Sequence, residues 1–177
     1  MVEPSARNLF ADGDVSAAIL RKWWKGLQTD GEEVARIRRC GDPSSVMLSP
    51  EYQHLLDLLK EAGYILDAGH SYAVAAVAGA VAQVTADTGP GASFARQMAQ
   101  PAPGSRKARV SEIRLGRLVA QQQREMAYLL LIPVMDLLSG TVNLTDMARG
   151  LYRWDEAARK RWSDDYFGVA SKGASAK

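Results

Sequence analysis

Apolar residues recur every three or four positions over most of the chain, and no alternating apolar and polar pattern persists for more than a few residues. Recurrence at this interval is typical of amphipathic helices, whereas a half-buried strand alternates at every second residue. The pattern therefore predicts an all-α protein with no sheet, folded as one compact body or as two tightly packed lobes.

Polar residues that can cap a helix precede several of these apolar runs. Asp14 and Asp30 are expected N-caps of the first two helices, and Ser49 followed by Pro50 is expected to open a third. The Ala-rich stretch 71–86 predicts a further helix. Its small side chains allow close packing, so we expect it at the centre of the molecule.

Breaks in the pattern suggest where the chain divides. Residues 88–105 contain three glycines and three prolines, a composition typical of a linker or a long ordered loop. Helices are expected on its far side at 111–122, 124–138 and 145–167. The predicted domains are an N-terminal bundle at 1–87, a linker with a short helix at 88–110, a C-terminal bundle at 111–168 and a flexible tail at 169–177.

The four tryptophans are expected to be structural. Trp154 and Trp162 flank the last helical stretch and are predicted to lie in the core. Trp23 and Trp24 are adjacent, so on a helix their side chains point about 100° apart. We expect that both cannot enter one core equally, which leaves one of them at the edge of the core or against a partner.

Composition excludes several classes of protein. The chain has 177 residues, of which 47% are hydrophobic and 24% charged, an ordinary balance for a globular protein rather than a disordered or fibrous one. The apolar stretch 71–84 is shorter than the roughly 20 residues that span a bilayer. A single cysteine, Cys40, excludes an intramolecular disulfide. We expect a cytoplasmic protein with no membrane partner.

Charge is distributed unevenly, although the formal net charge is only +2. Residues 41–88 hold six acidic groups and one lysine, whereas residues 104–124 hold six basic groups and one glutamate. On a continuous helix, Arg114, Arg117 and Arg124 would fall within an arc of about 80°, opposite an apolar side. This arrangement predicts a helix that packs on one face and is basic on the other.

The C-terminal stretch repeats this arrangement if it is one continuous helix. Arg149, Arg153 and Lys160 would then share an arc of about 40°, opposite an apolar side. Arginines also cluster near the start of the chain, at Arg38 and Arg39. Because guanidinium groups make bidentate contacts with phosphates, these clusters predict a phosphate-binding surface.

Enzyme motifs are weak. Glu51 and His54 have the E-x-x-H spacing of carboxylate-bridged metal sites, but such a site needs a second pair, and His70 has no glutamate three residues before it. Cys40 follows two arginines that would make an exposed thiol more acidic, although a helix C-terminus would oppose this. No nucleotide-binding loop or nucleophile elbow is present.

We predict no catalytic residue, metal or cofactor. The alternatives are a stand-alone helical DNA-binding protein and a small thiol or metal enzyme at these residues.

Five segments occur in an order that suggests a known family. They are LRKWW, ARIRR, GASFARQMA, SEIRLGRLV and LTDMARGLYRWDEAARKRWSDDYF, and they span roughly residues 16–168. The chain resembles the CasB family, the small subunit of the type I-E CRISPR surveillance complex called Cascade. The resemblance implies an all-α fold of two packed helical bundles and a non-catalytic role in antiviral defence, in which the protein supports the R-loop. The implied partners are guide crRNA, the target and displaced DNA strands, other Cascade subunits and a second copy of itself.

The resemblance also implies individual contacts. Motif by motif, it places nucleic-acid contacts at Arg38, Arg39, Arg96, Arg114, Arg117 and Arg149. Together with the charge clusters, the predicted nucleic-acid-binding set is Arg38, Arg39, Arg96, Arg106, Lys107, Arg109, Arg114, Arg117, Arg124, Arg149, Arg153 and Lys160. The apolar run YLLLIPVMDLL stands where relatives are often Arg-rich, which makes that surface a candidate for contact with protein instead.

Overall fold

The computed structural model describes residues 4–174, and most of them are helical. A short 3-10 turn at Ala6–Asn8 precedes the α-helices. The helices are α1 (Val15–Leu27), α2 (Gly31–Arg38), α3 (Pro43–Met47), α4 (Pro50–Glu61), α5 (Ala68–Val81), α6 (Phe94–Ala99), α7 (Glu112–Val119), α8 (Arg124–Leu137), α9 (Leu144–Arg153) and α10 (Glu156–Ala174). The predominantly helical class is confirmed. Within the described residues, no helix is long and apolar enough to cross a membrane.

The prediction that the protein has no sheet is wrong in one place. Strands β1 (Ala86–Asp87) and β2 (Thr141–Val142) form a two-residue parallel pair. Gly140 lies just before β2 with a φ of 65°, and a Cβ there would lie 2.7 Å from Oγ1 of Thr85. Strands this short show no periodicity in the sequence, and their pairing depends on a contact between distant segments.

The predicted helix starts are confirmed. Asp14 accepts a hydrogen bond from the backbone N–H of Ser16, Asp30 from that of Glu32, and Ser49 from that of Tyr52. These side chains satisfy N–H groups that a helix start leaves unpaired. The short helix α3 was not expected, and it begins in the same way, with Asp42 as its N-cap and Pro43 as its first residue.

Helix α5 lies at the centre of the fold, as its Ala-rich sequence predicts. Every residue from Ala73 to Val81 is buried, and the helix packs against α3, α4, α8 and α9. Gly79 faces the Tyr128 ring, where a Cβ would lie 2.5 Å from the phenol oxygen. One hydrophobic cluster includes side chains from both predicted bundles. The division into bundles at 1–87 and 111–168 stays a prediction.

Both N-terminal tryptophans are buried, so the expectation that they cannot share one core is wrong. Trp23 is 5% exposed and Trp24 is 8% exposed. The Trp23 indole N–H donates to the carbonyl of Glu51, and that of Trp24 donates to the carbonyl of Val84, each at 3.0 Å. The two indoles point to different sides of α1, and each finds a backbone acceptor there.

The C-terminal stretch is not the single helix expected at 145–167. Helix α9 ends at Arg153, Trp154 follows with a φ of 27°, and Asp155 accepts a hydrogen bond from Ala158 N–H at 2.7 Å. The break allows both Trp154 and Trp162 to be buried, and their ring centroids are 5.2 Å apart. Helix α10 then continues to Ala174, beyond the expected start of the tail at 169, and residues 175–177 lie outside the described residues.

Candidate nucleic-acid interface

Helices α6 and α7 and the loop between them form one ordered unit against α10. Arg109 N–H donates to the carbonyl of Gln100, and Val110 N–H to that of Met98, each at 3.0 Å. A single antiparallel bridge joins Pro101 and Ala108. These bonds fold the loop back on itself. We refer to residues 96–117 as the basic segment.

Apolar side chains hold the basic segment on the core. Phe94, Met98, Val110 and Leu115 are all fully buried. The Tyr166 hydroxyl on α10 donates to the Val110 carbonyl at 2.6 Å, which fixes the entry to α7. Packing against the core therefore fixes the positions from which the outward side chains of this unit project into solvent.

The outward side chains of the basic segment are mostly cationic. It contains six basic residues and one acidic residue, Glu112, among 22 residues. Five of the six cations are exposed and Arg109 is half-buried. Within residues 4–174, none of their side chains forms a hydrogen bond or an ion pair. They are Arg96, Arg106, Lys107, Arg109, Arg114 and Arg117. Their guanidinium and ammonium groups are therefore available to phosphates without giving up an existing partner.

The C-terminal cations are placed differently. Nη1 of Arg149 lies 3.0 Å from Oδ2 of Asp12. Nη2 of Arg153 lies 3.4 Å from Oδ2 of Asp155, and the Lys160 amine lies 2.5 Å from Oδ2 of Asp164. The break after α9 separates Lys160 from the two arginines, so the single continuous basic face expected there does not exist.

A cleft of about 300 Å³ lies beside these C-terminal arginines, between the 3-10 turn and helices α9 and α10. Its lining adds two arginines, Arg7 and Arg161, to Arg149 and Arg153. Arg161 is paired with Asp146 at 2.8 Å. The sequence pattern did not identify Arg7 or Arg161 as part of this surface. Arg7 has no basic neighbour in the chain, and Arg161 lies among both acidic and basic residues of α10. Only the tertiary fold brings them together.

Two of the predicted contacts donate to the protein itself. Nε of Arg124 donates to the Leu151 carbonyl at 2.9 Å, and Nη2 donates to the Tyr152 carbonyl at 2.6 Å. Burial lowers the pKa of this guanidinium. Nε of Arg38 donates to the Ala82 carbonyl at 2.6 Å. The neighbouring Arg39 is exposed and makes no side-chain hydrogen bond within residues 4–174.

Arg124 is therefore expected to contribute to stability rather than to binding. It satisfies carbonyls that the C-terminal end of α9 leaves free. We expect Arg124→Met to lower the free energy of unfolding by about 1.5–3 kcal/mol, the range for hydrogen bonds to charged groups. Urea denaturation followed by circular dichroism measures this. The matched variant Arg114→Met should change stability by less than about 0.5 kcal/mol. Weaker nucleic-acid binding by a fully stable Arg124→Met protein would contradict this assignment.

Two of the residues behind the enzyme alternatives, Glu51 and His54, line one cavity of about 590 Å³, and Cys40 is not part of its lining. Burial raises the pKa of the Cys40 thiol and Glu51 and Asp42 raise it further, while Arg39 lowers it, as expected, without offsetting them. Oε1 of Glu51 lies 2.6 Å from Nη1 of Arg36, while His54 is exposed. Among the described residues, no group of three potential metal ligands comes together.

Comparisons with known proteins agree with the helical architecture. The family model described as CRISPR-associated protein Cse2 (CRISPR_cse2) matches residues 33–167, a range that includes the whole basic segment. A chain in the crystal structure of E. coli Cascade bound to a PAM-containing dsDNA target has a TM-score of 0.68 and is 22% identical. The match covers 88% of this chain and 96% of that one, and it shows a shared fold. No curated protein sequence matches the chain.

Proposed function

Because the chain belongs to the family of the CRISPR-associated protein Cse2, we propose that it is the non-catalytic small subunit of a type I-E Cascade complex, acting in the cytoplasm. Its proposed partners are the guide crRNA, the target and displaced DNA strands, other Cascade subunits and a second copy of itself. The similar E. coli chain comes from Cascade bound to a PAM-containing dsDNA target, which supports this choice of partners.

The basic segment is the proposed binding surface for the nucleic-acid backbone. The observation that carries this assignment is the concentration, on a unit packed against the core, of six cations that have no carboxylate partner within residues 4–174. Opening an R-loop exchanges one duplex for another of similar stability, so contacts to the strand backbones can tip the balance without reading sequence. Exposed arginines supply such contacts, because they bind phosphates through paired N–H groups.

The C-terminal arginines form a proposed secondary surface. Arg149 and Arg153 already contact carboxylates, so a phosphate has to compete with Asp12 and Asp155 for their N–H groups. Arg153 and Asp155 are both exposed, and an exposed ion pair contributes about 0–1 kcal/mol, which is a small barrier to exchange. This surface should therefore add to binding by the basic segment but contribute less per arginine.

The isolated protein should bind single-stranded nucleic acid weakly, with little sequence preference and a strong dependence on salt. Contacts to phosphates release counterions, and the logarithm of the affinity then falls linearly with the logarithm of the salt concentration, with a slope of about −0.7 per contact on a single strand. Fluorescence anisotropy with labelled oligonucleotides at several salt concentrations measures the slope. An affinity difference of more than about 100-fold between unrelated sequences would favour a sequence-specific regulator instead.

A further inference from the structure

Helix α8 carries apolar residues on the side that faces solvent. Met126 is 42% exposed, Leu129 41% and Leu137 40%, while Pro133 is exposed and Leu130 is half-buried. At about 100° per residue, these five positions fall within an arc of about 100°. We call them the α8 apolar face.

The opposite side of α8 already fills the core. Ala127, Tyr128, Leu131, Val134 and Met135 are buried there, and the helix packs against α5, α7 and α9. The helix is therefore apolar on nearly all sides, a pattern typical of a helix buried on all sides. Among residues 4–174, nothing covers its outer side. Exposed apolar side chains that lie together on one face are a candidate site for contact with another protein.

An acidic edge runs along the α8 apolar face. Glu125 and Asp136 are both exposed, form no ion pair within residues 4–174, and lie next to Leu129 on the helix surface. They are 11 residues apart, or about 16 Å along the helix. The only cation of α8 is Arg124, whose guanidinium donates to carbonyls of 151–153. This edge repels phosphates, so the occupant of the face is a protein rather than a nucleic acid.

We propose that the α8 apolar face docks a segment of another protein subunit that combines an apolar surface with a lysine or arginine edge. A second copy of this chain fits less well. Its own α8 offers no free cation to meet Glu125 and Asp136. Its basic segment offers many cations but only one exposed large apolar side chain, Ile113, against the five positions of the face.

The size of the face indicates how it is used. The 14-residue helix is about 21 Å long and about 10 Å wide, so the face offers on the order of 200 Å². A stable pair of proteins buries about 800 Å² on each partner. The docking therefore works within a larger assembly held by further contacts. That this assembly is Cascade rests on the proposed function.

The test replaces exposed leucines in Cascade reconstituted from all its subunits and guide RNA. Leu129→Gln with Leu137→Gln should reduce retention of this subunit in the complex by about tenfold or more, as measured by titration and size-exclusion chromatography. The matched control, Leu48→Gln with Ile65→Gln, changes two apolar side chains that are 87% and 88% exposed outside α8, and it should assemble normally. Both variants should bind single-stranded oligonucleotides as the parent protein does, because neither touches the basic segment.

A photo-reactive phenylalanine analogue at position 129 identifies the occupant. We expect a crosslink to a different subunit, in a peptide that contains Lys or Arg. Glu125→Lys with Asp136→Lys should weaken assembly as well. Normal assembly of the Leu129→Gln and Leu137→Gln variant, or a crosslink to nucleic acid or to a second copy of this chain, overturns the proposal. Failure of the unaltered protein to join the complex overturns both this proposal and the proposed function.

Discussion

Charge reversal of four arginines in the basic segment is expected to leave Cascade assembled but unable to hold an open R-loop. The variant changes Arg96, Arg106, Arg114 and Arg117 to glutamate. All four side chains are exposed and make no hydrogen bond or ion pair within residues 4–174, so the fold should survive. Duplex re-annealing then competes with strands whose backbones are no longer held, because R-loop formation is nearly balanced in energy.

The expected size of the effect follows from counterion release. Each phosphate that the variant no longer binds should reduce the slope of log affinity against log salt by about 0.7, so four such phosphates should reduce it by about 3. The effects of separate sites should add roughly. Permanganate footprinting of unpaired thymines on target DNA measures R-loop opening and lifetime in the assembled complex, and anisotropy measures the slope for the isolated protein.

A matched pair of double variants separates the basic segment from net charge. Arg114→Glu with Arg117→Glu removes cations that have no partner within the described part of the chain, whereas Arg153→Glu with Lys160→Glu removes the same charge from groups that already pair with Asp155 and Asp164. The variant Arg114→Glu with Arg117→Glu should shorten the R-loop lifetime more than the variant Arg153→Glu with Lys160→Glu does. Equal effects would indicate general electrostatics, and an unchanged lifetime in the quadruple variant would leave the subunit as a structural brace.

Helix starts could be predicted from sequence because their causes are local. The N-caps Asp14, Asp30 and Ser49 each bond a backbone N–H two or three residues away, so the whole interaction lies within one sequence window. The break at Trp154 and the β1–β2 pair could not be predicted, because they depend on distant contacts. Trp154 leaves the helix as its indole packs on Trp162, and β1 pairs with a strand some 55 residues later.

The excess of positive charge in residues 104–124 predicts most of the basic segment, but it does not predict the role of each arginine. Arg114 and Arg124 carry the same charge, and they would share an arc on one continuous helix, but α7 ends at Val119 and α8 begins at Arg124. In the fold, Arg114 is exposed, while Arg124 donates to carbonyls at 151–153, at least 27 residues further along the chain. The number of charged residues can be read from the sequence, but tertiary packing determines which of them already form hydrogen bonds within the protein.

Trp162→Ala is expected to be the most destabilising single change among the core aromatics. Trp162 is fully buried and has the largest volume of the fully buried side chains among the described residues. Its ring lies 5.0 Å from Phe94 of α6 and 5.2 Å from Trp154, measured between centroids, and it packs so closely on Gly150 that a Cβ there would lie 2.5 Å from the indole nitrogen. Removing it leaves a cavity where α6, α9 and α10 meet. We expect the free energy of unfolding to fall by about 3–5 kcal/mol.

Two further variants distinguish loss of packing from other causes. The Trp162 indole N–H has no hydrogen-bond partner within the described structure, so Trp162→Phe removes no hydrogen bond and should cost less than Trp162→Ala. Phe167→Ala, at a ring on the same helix that is 42% exposed, should cost less still. Thermal unfolding should show Trp162→Ala melting about 6–20 °C below the parent protein. Phe94 is the first residue of α6 and packs against Trp162. The same variant should therefore also bind single strands more weakly, because α6 no longer holds Arg96 firmly in place. A Trp162→Ala protein as stable as Phe167→Ala would show that the junction of α6, α9 and α10 does not depend on this indole.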